Sequence, residues 1–203
     1  MARKCKEDAE KTRLAVLESA LDVFSDKGYA KATFDEIAAR AGFTKGAVYW
    51  YFRNKADLVA ALIIEYTARK YQEISACFSG GNTLDDLLDY FIQWADAGAK
   101  DLRFSRFQRF MMCQMEWSEA VLNRVDKTIT TTKNWHLEKV NQVLVESKKC
   151  GTLKEDVDID VIAQVIISTY MGIVFSSISK RAPYDLVEMV RTGLTLLFEG
   201  LKK

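Results

Sequence analysis

The sequence predicts an all-α protein of about nine helices, in which a small N-terminal helix-turn-helix domain precedes a larger helical domain. Three observations support this fold class: apolar residues recur at helical intervals, the 203 residues include one proline and ten glycines, and no segment alternates valine, isoleucine and threonine as a half-buried strand would. With 49% hydrophobic and 28% charged residues, the chain is long enough for one substantial core or two modest domains. A disordered chain is therefore excluded.

The first predicted helix covers residues 12–25, because its apolar residues fall on one stripe with helical spacing. These residues are Leu14, Leu17, Leu21 and Phe24. Gly28 follows and suits the left-handed turn that ends a helix. Residues 1–55 carry 11 Lys/Arg and 8 Asp/Glu, or +3, against 18 and 20, or −2, in the remainder. That small asymmetry permits a polyanionic partner for the N-terminal end.

Local capping signals set the ends of two short helices that follow. Thr33 and Glu36 form a capping box, so the second helix begins just after Thr33, and Gly42 stops it. Thr44 then caps a third helix over residues 45–52. Two short helices joined by the four residues "AGFT" make a helix-turn-helix.

The remaining helices are longer. Asn54 caps a fourth helix over residues 55–78, and the glycine pair in "SGGN" is the best internal seam of the chain. Beyond that seam, apolar periodicity and glycine or proline breaks predict helices over residues 84–100, 103–117, 119–150, 157–179 and 184–201.

One stretch, residues 161–179, carries no charged residue and is long enough to span a membrane. Several serines, a threonine and Gln164 dilute its apolar character, and Asp158 and Asp160 precede it. We therefore expect a helix that is buried on nearly every side in a protein without a membrane segment. Pairing this helix and the last helix with the same helices of a second copy would cover their apolar surface, which predicts a homodimer.

Four consecutive aromatic residues, Tyr49 to Phe52, occupy the third helix. Successive helical residues point 100° apart, so the four rings cannot share one core. Val48 and Phe52 lie four residues apart and form the inward face, which leaves Tyr49, Trp50 and Tyr51 for other contacts. The extra rings either meet the major groove of DNA, as the second helix of such a motif does, or pack on the following helix.

The beginning of the third helix also suits DNA. Thr44 and Lys45 stand at its amino end, where free backbone N–H groups favour a phosphate. Gly46 and Ala47 are small enough to let the backbone approach base edges. The basic residues Arg3, Lys4 and Lys6 form an arm that either reaches the DNA backbone or minor groove or remains a solvated tail.

Residues 10–66 resemble the DNA-binding domain of TetR-family transcriptional repressors. The matching segments are "TRLAVLESALDVFSDKGY", "ATFDEIAARAG" and "TKGAVYWYFRNKADL". The opening "MARKCKEDAEKTR" and the "YW" pair look most like the branch of AcrR-type repressors of multidrug efflux pumps. Weaker similarity continues through "RFMMCQMEWSE" and "PYDLVEMVRTGLTLLFEGL", so the resemblance covers most of the chain.

The resemblance implies a ligand-responsive repressor with a DNA-binding domain over residues 1–54 and a ligand-binding and dimerisation domain over residues 55–203. A homodimer through the last two helices would bind a palindromic double-stranded operator and be released by a small hydrophobic inducer. Carried over by position, the DNA contacts are Thr33, Thr44, Lys45, Gly46, Ala47, Tyr49, Trp50, Tyr51 and Lys55. Tyr51 replaces a histidine that is common in relatives. Lys45 replaces an arginine and loses its bidentate fork, so we expect it to contact phosphate or to read bases less strictly.

Residues 104–115 are rich in phenylalanine and methionine, which is typical of a core but also of an adaptable apolar pocket. This pattern and the resemblance predict an inducer site formed by Tyr66, Phe107, Gln108, Met111, Met112, Tyr170, Met171 and Phe175. The pocket is expected to be apolar and short of charged anchors.

Other function classes find little support. His136 is the single histidine, the four cysteines lie far apart, and no glycine-rich phosphate loop occurs, so we expect no enzyme, metal site or cofactor. The polar N-terminus and unpaired cysteines favour the cytoplasm. A regulator of another pathway, an activator, an orphan regulator and a nonspecific DNA-binding protein remain alternatives.

Overall fold

The computed structural model describes residues 2–77, 81–131, 135–179 and 183–203, without the side chains of residues 2–6, 76–77, 120 and 127–131. In these ranges the chain is all-helical, as predicted, and pairs extended backbone only at an isolated bridge between Leu153 and Lys202. The helices are α1 (Ala2–Lys27), α2 (Phe34–Ala41), α3 (Lys45–Tyr51), α4 (Lys55–Cys77), α5 (Leu84–Lys100), α6 (Leu102–Arg109), α7 (Glu119–Thr131), α8 (Trp135–Lys149), α9 (Ile159–Ile178) and α10 (Leu186–Leu201).

The chain divides into two compact units. The first contains Met1–Ala68 and Arg106–Thr132, and the second contains Arg69–Ser105 and Lys133–Lys203. Helix α4 therefore contributes to both units. The boundary predicted between residues 54 and 55 concerns the division of functions and stays a prediction.

The capping signals of the helix-turn-helix are confirmed. The Thr33 hydroxyl accepts from the Glu36 N–H while the Glu36 carboxylate accepts from the Thr33 N–H. Gly42 ends α2 in the left-handed region at φ 74°. The side chains of Thr44 and Asn54 accept from backbone N–H groups at the beginnings of α3 and α4.

Helix α1 begins ten residues before the predicted start at Thr12. Its first ten residues are mostly alanine, lysine, arginine and glutamate, which are good helix formers, and they include no glycine or proline. Because these residues are polar, apolar periodicity could not predict this part of the helix. The basic arm is thus helical in its backbone, and its side chains lie outside the described residues.

The predicted single helix over residues 119–150 is wrong. The structure describes two helices there, α7 and α8, and residues 132–134 between them lie outside the described residues. The sequence of this stretch includes "TITTT", a run of β-branched residues, a type with low intrinsic helix propensity. Helix α6 continues through a π-helical turn, Phe110–Gln114.

The expectation that residues 161–179 form a helix buried on nearly every side is also wrong. Helix α9 has four buried residues along one stripe, Ala163, Ile166, Tyr170 and Val174, and only 22% of its most apolar window is buried. It is long and apolar enough to cross a membrane, a property that core helices share. Its exposed large apolar side chains are Val161, Val165, Met171 and Phe175.

Candidate DNA-binding site and effector residues

The side chains of α3 and of its C-cap residue Phe52 form a buried inner set and an exposed outer set. Val48 is fully buried and Phe52 is 5% exposed, which confirms the predicted inward face. On the outer side, Tyr49 is 51% exposed and Trp50 is 74% exposed. The aromatic run therefore presents two large rings to solvent, an arrangement that the core of the first unit does not require.

Ring contacts restrict how these outer side chains move. The Tyr49 ring lies 4.7 Å from the Phe34 ring at the beginning of α2. The Trp50 ring meets the Tyr51 ring edge to face at 4.6 Å. Such aromatic pairs have preferred geometries, so these contacts favour one orientation of each exposed ring.

The two capping hydroxyls keep a donor available. Thr33 and Thr44 each use the side-chain oxygen to accept a backbone N–H. A hydroxyl that accepts one hydrogen bond still has its own proton to donate, and a phosphate oxygen can take it. Both threonines are exposed, so their position fits the predicted role.

The Tyr51 hydroxyl is used inside the protein. It donates to the backbone oxygen of Ala9 at 3.0 Å, which ties α3 to α1 across 42 residues of sequence. This bond holds the recognition helix in place, whereas the sequence indicated a hydroxyl that reaches phosphate.

Lys45 is paired with a carboxylate on the neighbouring helix. Its Nζ donates to Asp35 Oδ2 at 2.7 Å, and both side chains are more than half exposed. The hydrogen bond that Lys45 donates to Asp35 raises the pKa of Lys45, so the ammonium stays charged. The lysine at the amino end of α3 thus has a partner before DNA arrives.

Lys55 closes the loop that follows α1. Its Nζ donates to the backbone oxygens of Tyr29 and Ala30 at 2.7 and 2.8 Å and lies 4.7 Å from the centre of the Tyr29 ring. Carbonyl oxygens and a ring neutralise a cation only in part, so positive charge remains beside the loop.

The structure leaves Gly46 exposed and Ala47 half-buried, and a Cβ at Gly46 would meet only the Thr44 hydroxyl, at 3.8 Å.

The predicted effector residues fall in two groups. In the first unit, the Tyr66 hydroxyl donates to Glu18 at 2.9 Å and its ring stacks on Phe107 at 5.0 Å. Gln108, Met111 and Met112 are half-buried in the same unit. In the second unit, Tyr170 is buried, and Met171 and Phe175 are 41% and 36% exposed.

The segment after residue 105 is joined to α1 within the first unit. The Phe110 ring stacks on Phe24 with centroids 5.1 Å apart. Arg106 donates to Asp22 at 2.6 Å, and the Gln114 amide donates to the Ser25 backbone oxygen at 2.9 Å. These contacts connect part of the predicted effector domain directly to the helices of the helix-turn-helix unit.

Sequence reasoning missed an aromatic cluster around His136 in the second unit. The Tyr90 hydroxyl lies 3.0 Å from His136 Nδ1, and the Trp94 ring lies 4.7 Å from the imidazole. Burial lowers the pKa of His136 to about 4. The side-chain oxygens of Gln93 and Asn141 are buried without a hydrogen-bond partner among the described residues. The helical spacing of Tyr90, Trp94 and their neighbours was the available signal, but it could not place His136 among them.

Comparison with known proteins decides the family. Residues 16–62 match the sequence model for bacterial regulatory proteins of the tetR family, and residues 107–200 match the model for the C-terminal region of YsiA-like proteins. The chain belongs to the TetR family. It is thus a DNA-binding regulator built on the predicted helix-turn-helix.

Individual relatives agree with this TetR-family assignment. The chain is 26% identical over 188 residues to the probable acrEF/envCD operon repressor of Escherichia coli (strain K12), covering 92% of this chain and 84% of that protein. The crystal structure of NalD, the secondary repressor of the MexAB-OprM multidrug efflux pump in Pseudomonas aeruginosa, shares the fold with a TM-score of 0.80 and 22% identity, covering 97% of this chain and 98% of the other. FadR from Bacillus subtilis, solved in complex with stearoyl-CoA, shares it with a TM-score of 0.78 and 21% identity, covering 93% and 99%.

Proposed function

We propose that this TetR-family protein is a cytoplasmic repressor, without catalytic activity, that binds a palindromic operator as a homodimer and is released by a small apolar ligand. The observation that carries the DNA half of the proposal is the outer face of α3, where Tyr49 and Trp50 stand exposed beside Lys45. An amphipathic ring can pack on sugars or on a thymine methyl while its hydroxyl or N–H reaches a phosphate. We assign the predicted contacts to this face, with Thr33 and Thr44 as phosphate donors, except for the Tyr51 hydroxyl, which is bonded to Ala9.

Exposed apolar surface supports the homodimer. Val161 and Val165 on α9 are 57% and 39% exposed, and Leu196 on α10 is 71% exposed. Pairing α9 and α10 with the same helices of a second copy would remove this surface from water. A two-fold axis would require a palindromic operator, and the two copies of α3 would have to stand about 34–36 Å, or one DNA turn, apart to bind it.

Two structural features support the control of DNA binding by a ligand. Helix α4 contributes to both compact units, and the segment after residue 105 contacts α1 in the unit that contains the helix-turn-helix. A ligand acts only through its preference for a conformation that does not bind DNA. In the second unit, the proposed ligand site uses the predicted residues Tyr170, Met171 and Phe175. The side-chain oxygens of Gln93 and Asn141, buried there without a partner among the described residues, are further candidates to contact polar groups of the ligand.

An efflux operon is the proposed target, by analogy with NalD, the secondary repressor of the MexAB-OprM multidrug efflux pump. A regulator of fatty-acid metabolism is the second candidate, since the fold matches the Bacillus subtilis FadR, which was solved in complex with stearoyl-CoA. Thermal melting with apolar antimicrobials and with long-chain acyl-CoA separates the two. Raised melting temperature with the first class only favours efflux, and with the second class only favours fatty-acid metabolism.

Selection of bound duplexes from random genomic fragments at physiological salt tests the DNA-binding proposal. We expect a palindrome to be enriched by the native protein and by Tyr184→Ala, a control that removes a 68% exposed tyrosine in the other unit. Tyr49→Ala should lose the enrichment, with a drop in affinity of roughly tenfold or more, because each base contact is worth about 1–3 kcal/mol. Enrichment without a common sequence, or equal behaviour of the two variants, would contradict the proposal.

A further inference from the structure

The pairing of Lys45 with Asp35 bears on how the helix-turn-helix distinguishes its operator from other DNA. Lys45 is the first residue of α3, and Asp35 is the second residue of α2. The Lys45 Nζ and the Asp35 Oδ2 lie 2.7 Å apart although ten residues separate them in sequence. Both side chains are exposed, at 51% and 65%, so any DNA on this face meets the pair as a unit.

The pair changes the charge that α3 offers to DNA. A free lysine at the amino end of the helix would neutralise a phosphate and release a counterion, which strengthens binding to every sequence alike. An ammonium held by a carboxylate has zero net charge with its partner and gains little from a phosphate. Two of its three N–H donors nevertheless stay available. Such a group is suited to hydrogen bonds with base edges, such as the O6 and N7 acceptors of guanine.

We propose that Asp35 is a specificity-determining residue, which holds Lys45 so that the lysine reads a base edge instead of neutralising a phosphate. The carboxylate repels the backbone phosphates of every sequence alike, and only a base-edge acceptor for Lys45 compensates for that repulsion. Asp35 thus lowers affinity for nonoperator DNA more than for the operator. This inference deepens the proposed repressor function and rests on it for the operator, but its effect on nonoperator DNA needs no operator.

The alternative for Asp35 is a structural role, since an acidic residue in the first turn stabilises a helix. The chain offers a matched control for that role in the second unit. Asp85 occupies the same position in α5, two residues after the threonine cap and one residue before the acidic member of a capping box. It is exposed and pairs with Lys202, so Asp85→Asn removes an equivalent charge from an equivalent turn.

The test measures affinity for a short scrambled duplex as a function of salt, in a cycle of Asp35→Asn, Lys45→Ala and the double variant. Asp35→Asn should steepen the slope of log affinity against log salt by about 0.9, the value for one additional phosphate contact. Lys45→Ala should leave the slope unchanged in the native background and reduce it by about 0.9 in the Asp35→Asn background. Asp85→Asn should leave the slope unchanged.

Two results would overturn the inference. An equal loss of slope on Lys45→Ala in both backgrounds would mean that Lys45 contacts a phosphate in the native protein. A lower melting temperature for Asp35→Asn, matched by Asp85→Asn and without a change in slope, would reduce Asp35 to a helix-stabilising role.

A second measurement, with the operator, tests the effect of Asp35 on specificity directly. With the selected palindrome, Asp35→Asn should reduce the ratio of operator to scrambled affinity roughly tenfold, and an unchanged ratio would also overturn the inference. Failure of the selection to yield any palindrome would contradict the proposed repressor function, while the scrambled-duplex slopes would still decide the role of Asp35.

Discussion

At the scale of single residues, Val48 and the aromatic run that follows it contain neighbouring side chains with different roles. Val48 and Phe52 belong to the core, the Tyr51 hydroxyl is bonded to Ala9, and Tyr49 and Trp50 face solvent. The inward pair follows from helical spacing, which is local information. The Tyr51 bond crosses 42 residues and the Lys45 pair depends on the angle between α2 and α3, so neither could be read from the sequence.

His136 illustrates the same limit in the second unit and makes the stability of the protein depend on pH. The imidazole lies among the rings of Tyr90, Trp94 and Tyr170. Burial lowers the pKa of His136 from the ordinary 6.5 to about 4. Burial also raises the pKa of Tyr90 and Tyr170, so neither tyrosine contributes to the pH dependence in acid. Because the unfolded chain takes up the proton first, the stabilising contribution is fully present above pH 6.5 and is lost as the pH falls toward 4.

His136→Phe should remove this pH dependence while keeping a ring in the cluster. Between about pH 7.5 and about pH 5, the native protein should lose roughly 2 kcal/mol of unfolding free energy that the variant retains. Urea unfolding at both pH values, at one protein concentration, measures the difference. Equal losses in the two proteins would show that His136 does not titrate as described.

At the scale of helices, the beginnings and ends could be predicted where a few neighbouring residues determine them. Thr33 with Glu36, Thr44, Asn54 and the left-handed glycines act within one turn. The long polar beginning of α1 escaped prediction because its stability comes from intrinsic propensity. The exposed side of α9 also escaped prediction, because apolar content does not reveal which surface of a helix its own chain covers.

The exposed faces of α9 and α10 lead to a prediction about assembly. Val165→Asp or Leu196→Asp should weaken the homodimer at least roughly a hundredfold, since a carboxylate buried without a partner costs several kcal/mol. Sedimentation at micromolar concentration should then show monomers. The control is Leu102→Asp, a change at an 82% exposed leucine of α6, which should leave the dimer intact. Dimers that persist in both interface variants would place the interface elsewhere.

At the scale of the whole molecule, the protein is a TetR-family regulator. One of its compact units contains both the helix-turn-helix and residues 106–132. The family and the all-helical fold were predictable because the N-terminal motifs are dense in residues with fixed roles. The inducer site was harder to predict, because apolar residues of a pocket and of a core look alike in sequence. The structure adds the contacts of Arg106, Phe110 and Gln114 with α1 as a second link from effector residues to DNA-binding helices.

The most direct test of the central claim is the ratio of affinities of the purified protein for its selected palindrome and for a scrambled duplex of equal length, at physiological salt. A repressor of this kind should prefer the palindrome by roughly a thousandfold or more and bind it as an even number of chains. A ratio near one, with binding that disappears as salt is raised, would mean that the exposed rings of α3 do not read DNA and would contradict the account.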